Sequence, residues 1–554
     1  MIGVIANPAD REVVCEFFEL FKTPWEFYRK DQHYDVVICA DGSEREASAE
    51  LIVTYSGNSN SCDDRARIAS QRTKPCVLSY RESRIPIYGP TVSFAGARNV
   101  LLKVEGSEEC AAYLDEDGGR SRARIGYDLF SEIHTLLTVG QPHFNASIPT
   151  LELHIALLSD LLTECGISFV EIPPVPEGCQ LVACLTHDVD HPSICKHGLD
   201  HTVIGFLLRA TFGSLIDVFR GRMSIRDGIQ NWLAVIKLPF VYVGFAKDFW
   251  RDFDRRYLQV EGDLPSTFFM IPRRGYAGRR ADDNPAPPFR AARYAAAELA
   301  DSISKLRAAG HEVGLHGIDA WIDSSAGREE LEEIRHLTGV AETGARMHWL
   351  YYNEESPAKL EQGGATYDST IGYNDTVGYR AGTTQAYRPV GVERLLELPL
   401  HAMDTALFYP SYLHLTSREA STRLRQLTDD VVRYGGCLTV NWHDRSLAPE
   451  RLWDGCYREL IQDLKSRGAW FATAGQATAW FRKRRSATFE ADDSLPGAVR
   501  VEFDAEWGAS LPGLRLRIRD KREAGETGAR RSVDYLDITV DQCAEKNVSA
   551  EARR

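Results

Sequence analysis

Three apolar segments, far apart in the chain, each end in histidine or aspartate. Residues 181–191 begin with an apolar run and end in Thr-His-Asp-Val-Asp-His. Residues 310–316 read Gly-His-Glu-Val-Gly-Leu-His, and residues 438–444 read Leu-Thr-Val-Asn-Trp-His-Asp. Parallel strands bring their C-terminal ends to one edge of a sheet, where α/β enzymes build their sites. The three segments therefore predict a parallel sheet that gathers carboxylates and imidazoles, the usual ligands of a metal ion, at one edge.

Composition and charge exclude several classes of protein. A chain of 554 residues predicts two or three domains, and a net charge of −14 argues against a nucleic-acid binder. The 12 cysteines include no C-x-x-C pair, which predicts reduced thiols and a cytoplasmic location. Residues 1–6 predict a strand rather than a signal peptide.

Two apolar stretches, 202–219 and 232–245, are interrupted by charged residues or proline. Each is shorter or more polar than the ~20 residues that cross a bilayer, so no transmembrane segment is predicted. They predict core or interdomain helices. The alternative is an amphipathic surface that contacts a membrane peripherally or covers the active site.

The order of predicted elements divides the chain into four parts. Residues 1–175 form an α/β domain of unknown role, followed by a proline-rich linker. Residues 180–485 alternate strands and helices, which is typical of a parallel sheet or barrel. Residues 486–545 alternate apolar and polar side chains at period two and predict an antiparallel β appendage. Residues 546–554 predict a disordered tail.

The part at 180–485 resembles the polysaccharide deacetylase domain, the NodB-homology fold of carbohydrate esterase family 4. Its aspartates at 188 and 190, its histidines at 316 and 443 and its arginine motifs follow the family's order. The stretches at 345–350, 367–373 and 378–383 are similar to a bacterial subgroup that carries an extra N-terminal domain. The resemblance implies a distorted (β/α) barrel. It also implies an enzyme that removes an acetyl or acyl group from an amino sugar or acetylated saccharide during surface-polysaccharide biosynthesis.

The resemblance implies a divalent metal, with Zn²⁺ as the expected ion. Asp190 and His316 correspond to two of the family's ligands. The family places a second imidazole four residues after the first, but this chain has Ala320 there. We predict His348 as the third ligand, because it lies in a strand-like stretch that follows a helix. The alternatives are Asp319 and His187.

The resemblance also assigns acid and base roles. Asp188 corresponds to the general base, His443 to the general acid, and a metal-bound water to the nucleophile. Arg380 is the predicted cation beside the base. The alternatives that stay open are Arg388 for that cation, Asp404 or Asp444 for the group that orients His443, and Tyr379 with backbone N–H groups for the oxyanion.

Three functional hypotheses remain. The first is a deacetylase of a saccharide, with no nucleic-acid partner and an oligomeric state left open. The second is a hydrolase of a non-sugar amide, as in allantoinase-like members, in which an arginine-rich loop at 273–280 would bind a small anion. The third is a metal-free binding protein. The pair Asp188 and Asp190 argues against the third hypothesis, because the mutual repulsion of two carboxylates costs stability.

Overall fold

The computed structural model describes residues 1–40, 47–59, 63, 69–73, 75–117, 119–282, 284–491, 498–502, 511–519, 535–540 and 547–549. The chain forms two compact units. The first comprises Met1–Gly178, Tyr379–Val390 and Ala479–Arg554, and the second comprises Cys179–Gly378 and Gly391–Thr478.

The first unit contains an 11-stranded sheet. Its strands are β1 (Ile2–Ile5), β2 (Trp25–Phe27), β3 (Val36–Cys39), β4 (Leu51–Tyr55), β5 (Ala69–Thr73), β6 (Val77–Tyr80), β7 (Ser83–Pro86), β8 (Thr91–Ala95), β9 (Val100–Val104), β10 (Cys110–Asp117) and β11 (Arg120–Ile125). The order is β2-β1-β3-β4-β11-β10-β9-β6-β7, with β8 beside β10 and β5 beside β8. Pairing is parallel from β2 to β11 and antiparallel beyond. The predicted α/β character of this region is confirmed.

The helices of the first unit are Arg11–Phe21, Leu129–Thr138 and Thr150–Glu164. In the first of them, Val14, Phe17, Phe18 and Phe21 are buried. Their spacing of three and four residues places them on one face of the helix, which is the reason this segment forms an amphipathic helix.

The second unit contains a nine-stranded sheet in which every pairing is parallel. Its strands are β13 (Leu181–Val189), β14 (Ser266–Met270), β15 (Glu312–Gly317), β16 (Ala345–Met347), β17 (Tyr367–Asp368), β18 (Leu396–Glu397), β19 (Ala402–Met403), β20 (Cys437–Asn441) and β21 (Ala469–Phe471). The order is β18-β17-β16-β15-β14-β13-β20-β19, with β21 beside β13. This arrangement confirms the predicted (β/α) barrel-like domain. All nine residues of β13 are buried, as expected for a central parallel strand.

The helices between these strands are His201–Leu208, Ser214–Phe219, Ile225–Tyr242, Phe253–Glu261, Ala300–Ala308, Ser324–Thr338, Ser356–Gly363, Asp404–Phe408, Ser417–Tyr434, Asp454–Ser466 and Ala474–Ser486. A π-helical turn, Arg209–Gly213, joins the first two into one run, His201–Phe219. This run is long and apolar enough to cross a membrane by length and composition. One such helix is weak evidence of a span, because core helices of globular proteins meet the same criterion.

The C-terminal region forms antiparallel pairs, which confirms the predicted β appendage. Its strands are β22 (Thr488–Ala491), β23 (Ala498–Glu502), β24 (Leu514–Arg519), β25 (Tyr535–Val540) and β26 (Asn547–Ser549). β24 lies between β25 and β12 (Phe169–Glu171), and β23 lies between β22 and β26. β26 falls within residues 546–554, the tail that we predict to be disordered. In this strand Val548 pairs with Val499. The rest of that tail lies outside the described residues.

Candidate metal centre

The C-terminal ends of three neighbouring parallel strands supply the side chains of the site. β13 ends at Val189, immediately before Asp190, and β15 carries His316 near its end. β16 ends at Met347, immediately before His348. Because β14 alone separates β13 from β15, and β15 pairs with β16, these ends meet at one edge of the sheet. The structure thus brings together the three residues that the sequence suggests as ligands.

One ligand atom from each of these residues points to a common centre. Asp190 Oδ1 lies 3.4 Å from His316 Nε2 and 3.4 Å from His348 Nδ1. The two ring nitrogens are 3.1 Å apart, and all three ligand atoms lie within 4.8 Å of one another. Two ligands bound tetrahedrally at typical Zn–N distances are about 3.3 Å apart. The spacing therefore suits ligands of a single ion.

The protonation of the two rings supports the same conclusion. His316 Nδ1 donates to the carbonyl of Arg346 over 3.0 Å, and His348 Nε2 donates to the carbonyl of Arg290 over 3.1 Å. Because a carbonyl oxygen can only accept, the outer nitrogen of each ring carries a proton. Burial lowers the pKa of His348, which favours the neutral form of its ring. In the neutral form of both rings, the two inner nitrogens would carry lone pairs that face each other, as in metal sites whose outer ring nitrogen is held by a carbonyl.

The carboxylate oxygen in this cluster has no donor of its own. Asp190 Oδ1 is buried and finds no hydrogen-bond partner among the described residues. A buried acceptor without a partner costs free energy, and so do two facing lone pairs. A cation at the centre would satisfy all three atoms. The residues present thus fit a divalent ion with N, N and O ligands.

Asp188 lies beside this cluster and is held by two donors. Arg346 Nη1 donates to its Oδ1 over 3.1 Å, and Asn441 Nδ2 donates to its Oδ2 over 2.8 Å. Oδ2 is 3.9 Å from His316 Nε2. Arg346 also donates to the hydroxyl of Thr186 and is fully buried. The guanidinium therefore balances a negative charge that is itself removed from water.

The cation beside Asp188 is thus Arg346, and the choice of Arg380 or Arg388 is corrected. Both belong to the first unit, where the Arg380 carbonyl accepts from Gln141 N and the Arg388 N–H donates to Glu16. Tyr379, suggested for the oxyanion, is in the same segment. The one local signal for Arg346 in the sequence is its position two residues before His348.

Removing the charge of Arg346 is expected to destabilise the fold. Arg346→Met leaves Asp188 buried without its cation, so we expect the free energy of unfolding to fall by about 3–5 kcal/mol. Chemical denaturation measures this change. Arg255→Met is the matched control, because Arg255 forms an exposed pair with Asp252 that contributes about 0–1 kcal/mol. Equal losses in the two variants would contradict this assignment.

His443, which follows β20, is the second protonatable group beside the cluster. Its Nδ1 donates to Asp404 Oδ1 over 2.6 Å, and its Nε2 lies 3.8 Å from Asp190 Oδ2. Burial opposes the charged ring, but the Asp404 carboxylate outweighs it and raises the pKa of His443 to about 9. The ring is thus held ready to donate a proton. Of the two carboxylates that the sequence leaves open, Asp404 orients His443, whereas Asp444 accepts from the His191 N–H.

The alternative metal ligands have other partners. His187 Nδ1 donates to the Trp442 carbonyl, and His187 Nε2 is hydrogen-bonded to Glu261 Oε1, each over 2.8 Å. Alternation along β13 turns it away from Asp188. Asp319 accepts from the Tyr276 hydroxyl over 2.5 Å. Ala320 is buried and packs against the helix Ser324–Thr338: a Cβ added at Gly327 would lie 3.2 Å from the Cβ of Ala320.

A cleft of about 480 Å³ opens onto these residues. Aromatic side chains line much of it: Phe289, Trp349, Tyr351, Tyr409 and Tyr412. Trp349 and Leu350, directly after His348, have left-handed backbone angles (φ 64° and 51°), a strain that clusters at functional sites. Trp321 and Trp442, the other tryptophans near the predicted site, are buried in the core.

Comparisons with known proteins find similar structures but no matching sequences. No protein-family profile and no curated protein matches the chain. A Mycobacterium smegmatis protein described as a polysaccharide deacetylase matches at 21% identity and TM-score 0.35, over 56% of this chain and 95% of that one. A family 4 acetyl xylan esterase from Clostridium thermocellum, solved with a cobalt ion, matches at 15% identity and TM-score 0.25, over 54% and 91%. A family 4 carbohydrate esterase from Bacillus subtilis matches at 10% identity and TM-score 0.27, over 58% and 88%.

The chain is therefore similar to polysaccharide deacetylases and family 4 carbohydrate esterases, as its motifs predict. At 10–21% sequence identity, these matches describe a similarity of fold alone. The chemistry that follows is derived from the contacts of this chain's own residues.

Proposed function

We propose that the protein is a metal-dependent hydrolase that removes an acetyl or other acyl group from an amino sugar or acetylated saccharide. The observation that carries this proposal is the convergence of two imidazole nitrogens and one carboxylate oxygen in His316, His348 and Asp190. This donor set suits Zn²⁺ among the divalent ions. When bound, such an ion polarises the acyl carbonyl and lowers the pKa of water.

Two residues of the chain would move protons. The Asp188 carboxylate accepts the proton of the attacking water, and Arg346 and Asn441 hold it in position for this step. His443 Nε2 faces the same cluster and donates a proton to the leaving amine or alcohol. Asp404 keeps that ring protonated and oriented. The base and the acid are thus positioned by different hydrogen-bond partners.

The lining of the cleft favours a saccharide over a small anion. Aromatic faces stack on sugar rings, and five aromatic side chains line this cleft. Two arginines of the loop at 273–280 already have carboxylate partners: Arg273 pairs with Glu333, and Arg279 pairs with Asp323. An anion pocket built from this loop would require those pairs to break. We therefore favour a sugar substrate and a role of the enzyme in surface-polysaccharide biosynthesis.

A reducing compartment suits the protein. Cys110, Cys184, Cys437 and Cys456 are buried thiols that form no disulfide. We propose a cytoplasmic location, in which the substrate is a precursor rather than a finished external polymer.

Release of acetate tests the function directly. The purified chain, supplied with Zn²⁺, Co²⁺ or Mn²⁺, is incubated with N-acetylated and O-acetylated saccharides and with a small cyclic amide. We expect acetate from at least one saccharide, loss of the activity on chelation, and recovery when the ion returns. Turnover of the amide alone would favour the second hypothesis. Saccharide binding without acetate release under any ion would favour the binding protein.

A further inference from the structure

The segment 201–247, between β13 and β14, forms a helical hairpin that we call the apolar hairpin. Its first arm is the run His201–Phe219, and its second arm is the helix Ile225–Tyr242. Asn231 donates to the Ser214 hydroxyl over 2.9 Å and links the two arms. Arg209 donates to the buried carboxylate of Glu450 over 2.6 Å, which fixes the hairpin to the rest of the second unit.

The outer face of this hairpin is apolar and exposed to solvent. Of the twenty-four large hydrophobic side chains that are exposed in the described part of the chain, fifteen lie in the apolar hairpin. On the second arm they recur at helical spacing, so they form one stripe: Ile225, Ile229, Trp232, Leu233, Ile236 and Phe240. Ile236 is 65% exposed. Apolar patches of this extent mark interaction surfaces.

The inner face shows that this exposure is not a consequence of poor packing. Ala234, Leu238 and Val241 of the second arm pack with Phe206 and Ala210 of the first in one buried cluster. The second arm is therefore apolar on two opposite faces. One face holds the hairpin to the barrel, and the other faces outward without a partner among the described residues.

The charge of the hairpin identifies its partner. It carries six Lys and Arg residues and only two Asp residues, although the whole chain has a net charge of −14. Arg226 and Lys237 are exposed beside the apolar stripe. A second copy of this chain would set these cations against the same cations, whereas an anionic lipid surface complements them.

A groove beside the second arm supports the same partner. It has a volume of about 580 Å³ and is lined by Leu233, Phe240, Phe245 and Phe249, with Lys237 and Lys247 among the lining residues. Neither lysine forms an ion pair within the described residues. An apolar channel with two free cations matches an acyl chain and its phosphate headgroup.

We propose that the apolar hairpin docks the protein on an anionic lipid membrane, lying in the plane of the interface. The buried contacts of Arg209 and Asn231 keep it packed on the barrel, so it lies on the bilayer and does not cross it. The same Glu450 that binds Arg209 lies 3.7 Å from Arg445, which lines the catalytic cleft. Docking would therefore hold that cleft close to the membrane. The proposal is independent of the proposed hydrolysis.

Sedimentation with vesicles tests this docking. The full chain is mixed with vesicles of phosphatidylcholine and phosphatidylglycerol in equal parts, or of phosphatidylcholine alone. We expect at least about tenfold tighter binding to the anionic vesicles, weakened by salt. The double variant Lys237→Gln, Lys247→Gln should lower the affinity for the anionic vesicles by about fivefold for each charge removed. Failure of the wild type to bind anionic vesicles would overturn the proposal.

The apolar stripe has a separate test. Ile229→Glu with Ile236→Glu should lower vesicle binding by at least about tenfold, because each side chain would have to enter the apolar boundary with a charge. Phe144→Glu is the matched control, since Phe144 is 75% exposed but lies outside the hairpin, and it should bind like the wild type. Unchanged thermal unfolding excludes a folding defect. A wild-type dimer that the hairpin variant dissociates, without vesicle binding, would overturn the proposal in favour of a second copy.

Discussion

His348→Ala is expected to weaken metal binding by at least about 100-fold and to reduce hydrolysis to background. The change removes one of three ligands, a larger loss than the 10–100-fold caused by changes to groups that only orient ligands. It also leaves Asp190 Oδ1 with one neighbouring ring nitrogen instead of two. A calorimetric titration of the metal-free variant with Zn²⁺ measures the affinity.

The matched control for this variant is His311→Ala. His311 is also buried and directly precedes β15, at the end of that strand opposite to His316, where its ring contacts the Ser266 hydroxyl. Its loss should cost stability but leave the affinity for Zn²⁺ unchanged. Equal affinities of His348→Ala and the wild type would show that the third ligand is not His348.

Asp188→Asn and His443→Gln are expected to lower kcat by about 10²–10⁴-fold while the ion stays bound. Asparagine keeps the size of Asp188 but cannot accept the proton of the attacking water. Glutamine at 443 cannot protonate the leaving group. Steady-state kinetics together with metal content separates these variants from a ligand variant, which would lose both activity and ion.

The leaving group distinguishes the two roles. An activated ester, whose leaving group needs no proton, should restore much of the activity of His443→Gln but not that of Asp188→Asn. Asp319→Asn is the control, because Asp319 binds Tyr276 and Arg279 rather than the cluster, and its kcat should change little. Rescue of Asp188→Asn instead of His443→Gln would reverse the assigned roles.

The sequence predicts the ligand cluster because strand ends carry local signals. Asp190 and His316 come at the ends of short segments whose place in a strand–helix alternation predicts parallel strands, and parallel topology then fixes where their ends meet. The prediction of His348 as a ligand required one further step, because position 320 has no imidazole and the third ligand had to be sought elsewhere. For each ligand, the signal lies in residues close in sequence and in the regular geometry of a strand.

The cation beside Asp188 was mispredicted because arginine motifs carry no such periodicity. Arg380 and Arg388 lie in irregular segments of the sequence, and nothing local shows that the chain returns there to the first unit. Arg346 is the middle residue of a three-residue strand, which is too short to be recognised by its pattern. For the apolar hairpin the sequence left two interpretations open, core helices and an amphipathic surface, because hydrophobicity alone does not tell which of two apolar faces is buried.

The measurement that tests the central claim most directly is the metal content of the purified wild-type chain, determined by elemental analysis after reconstitution with divalent ions. The geometry of Asp190, His316 and His348 predicts about one tightly bound ion per chain. The absence of any bound ion after reconstitution with Zn²⁺, Co²⁺ or Mn²⁺ would contradict the metal centre and, with it, the proposed hydrolase.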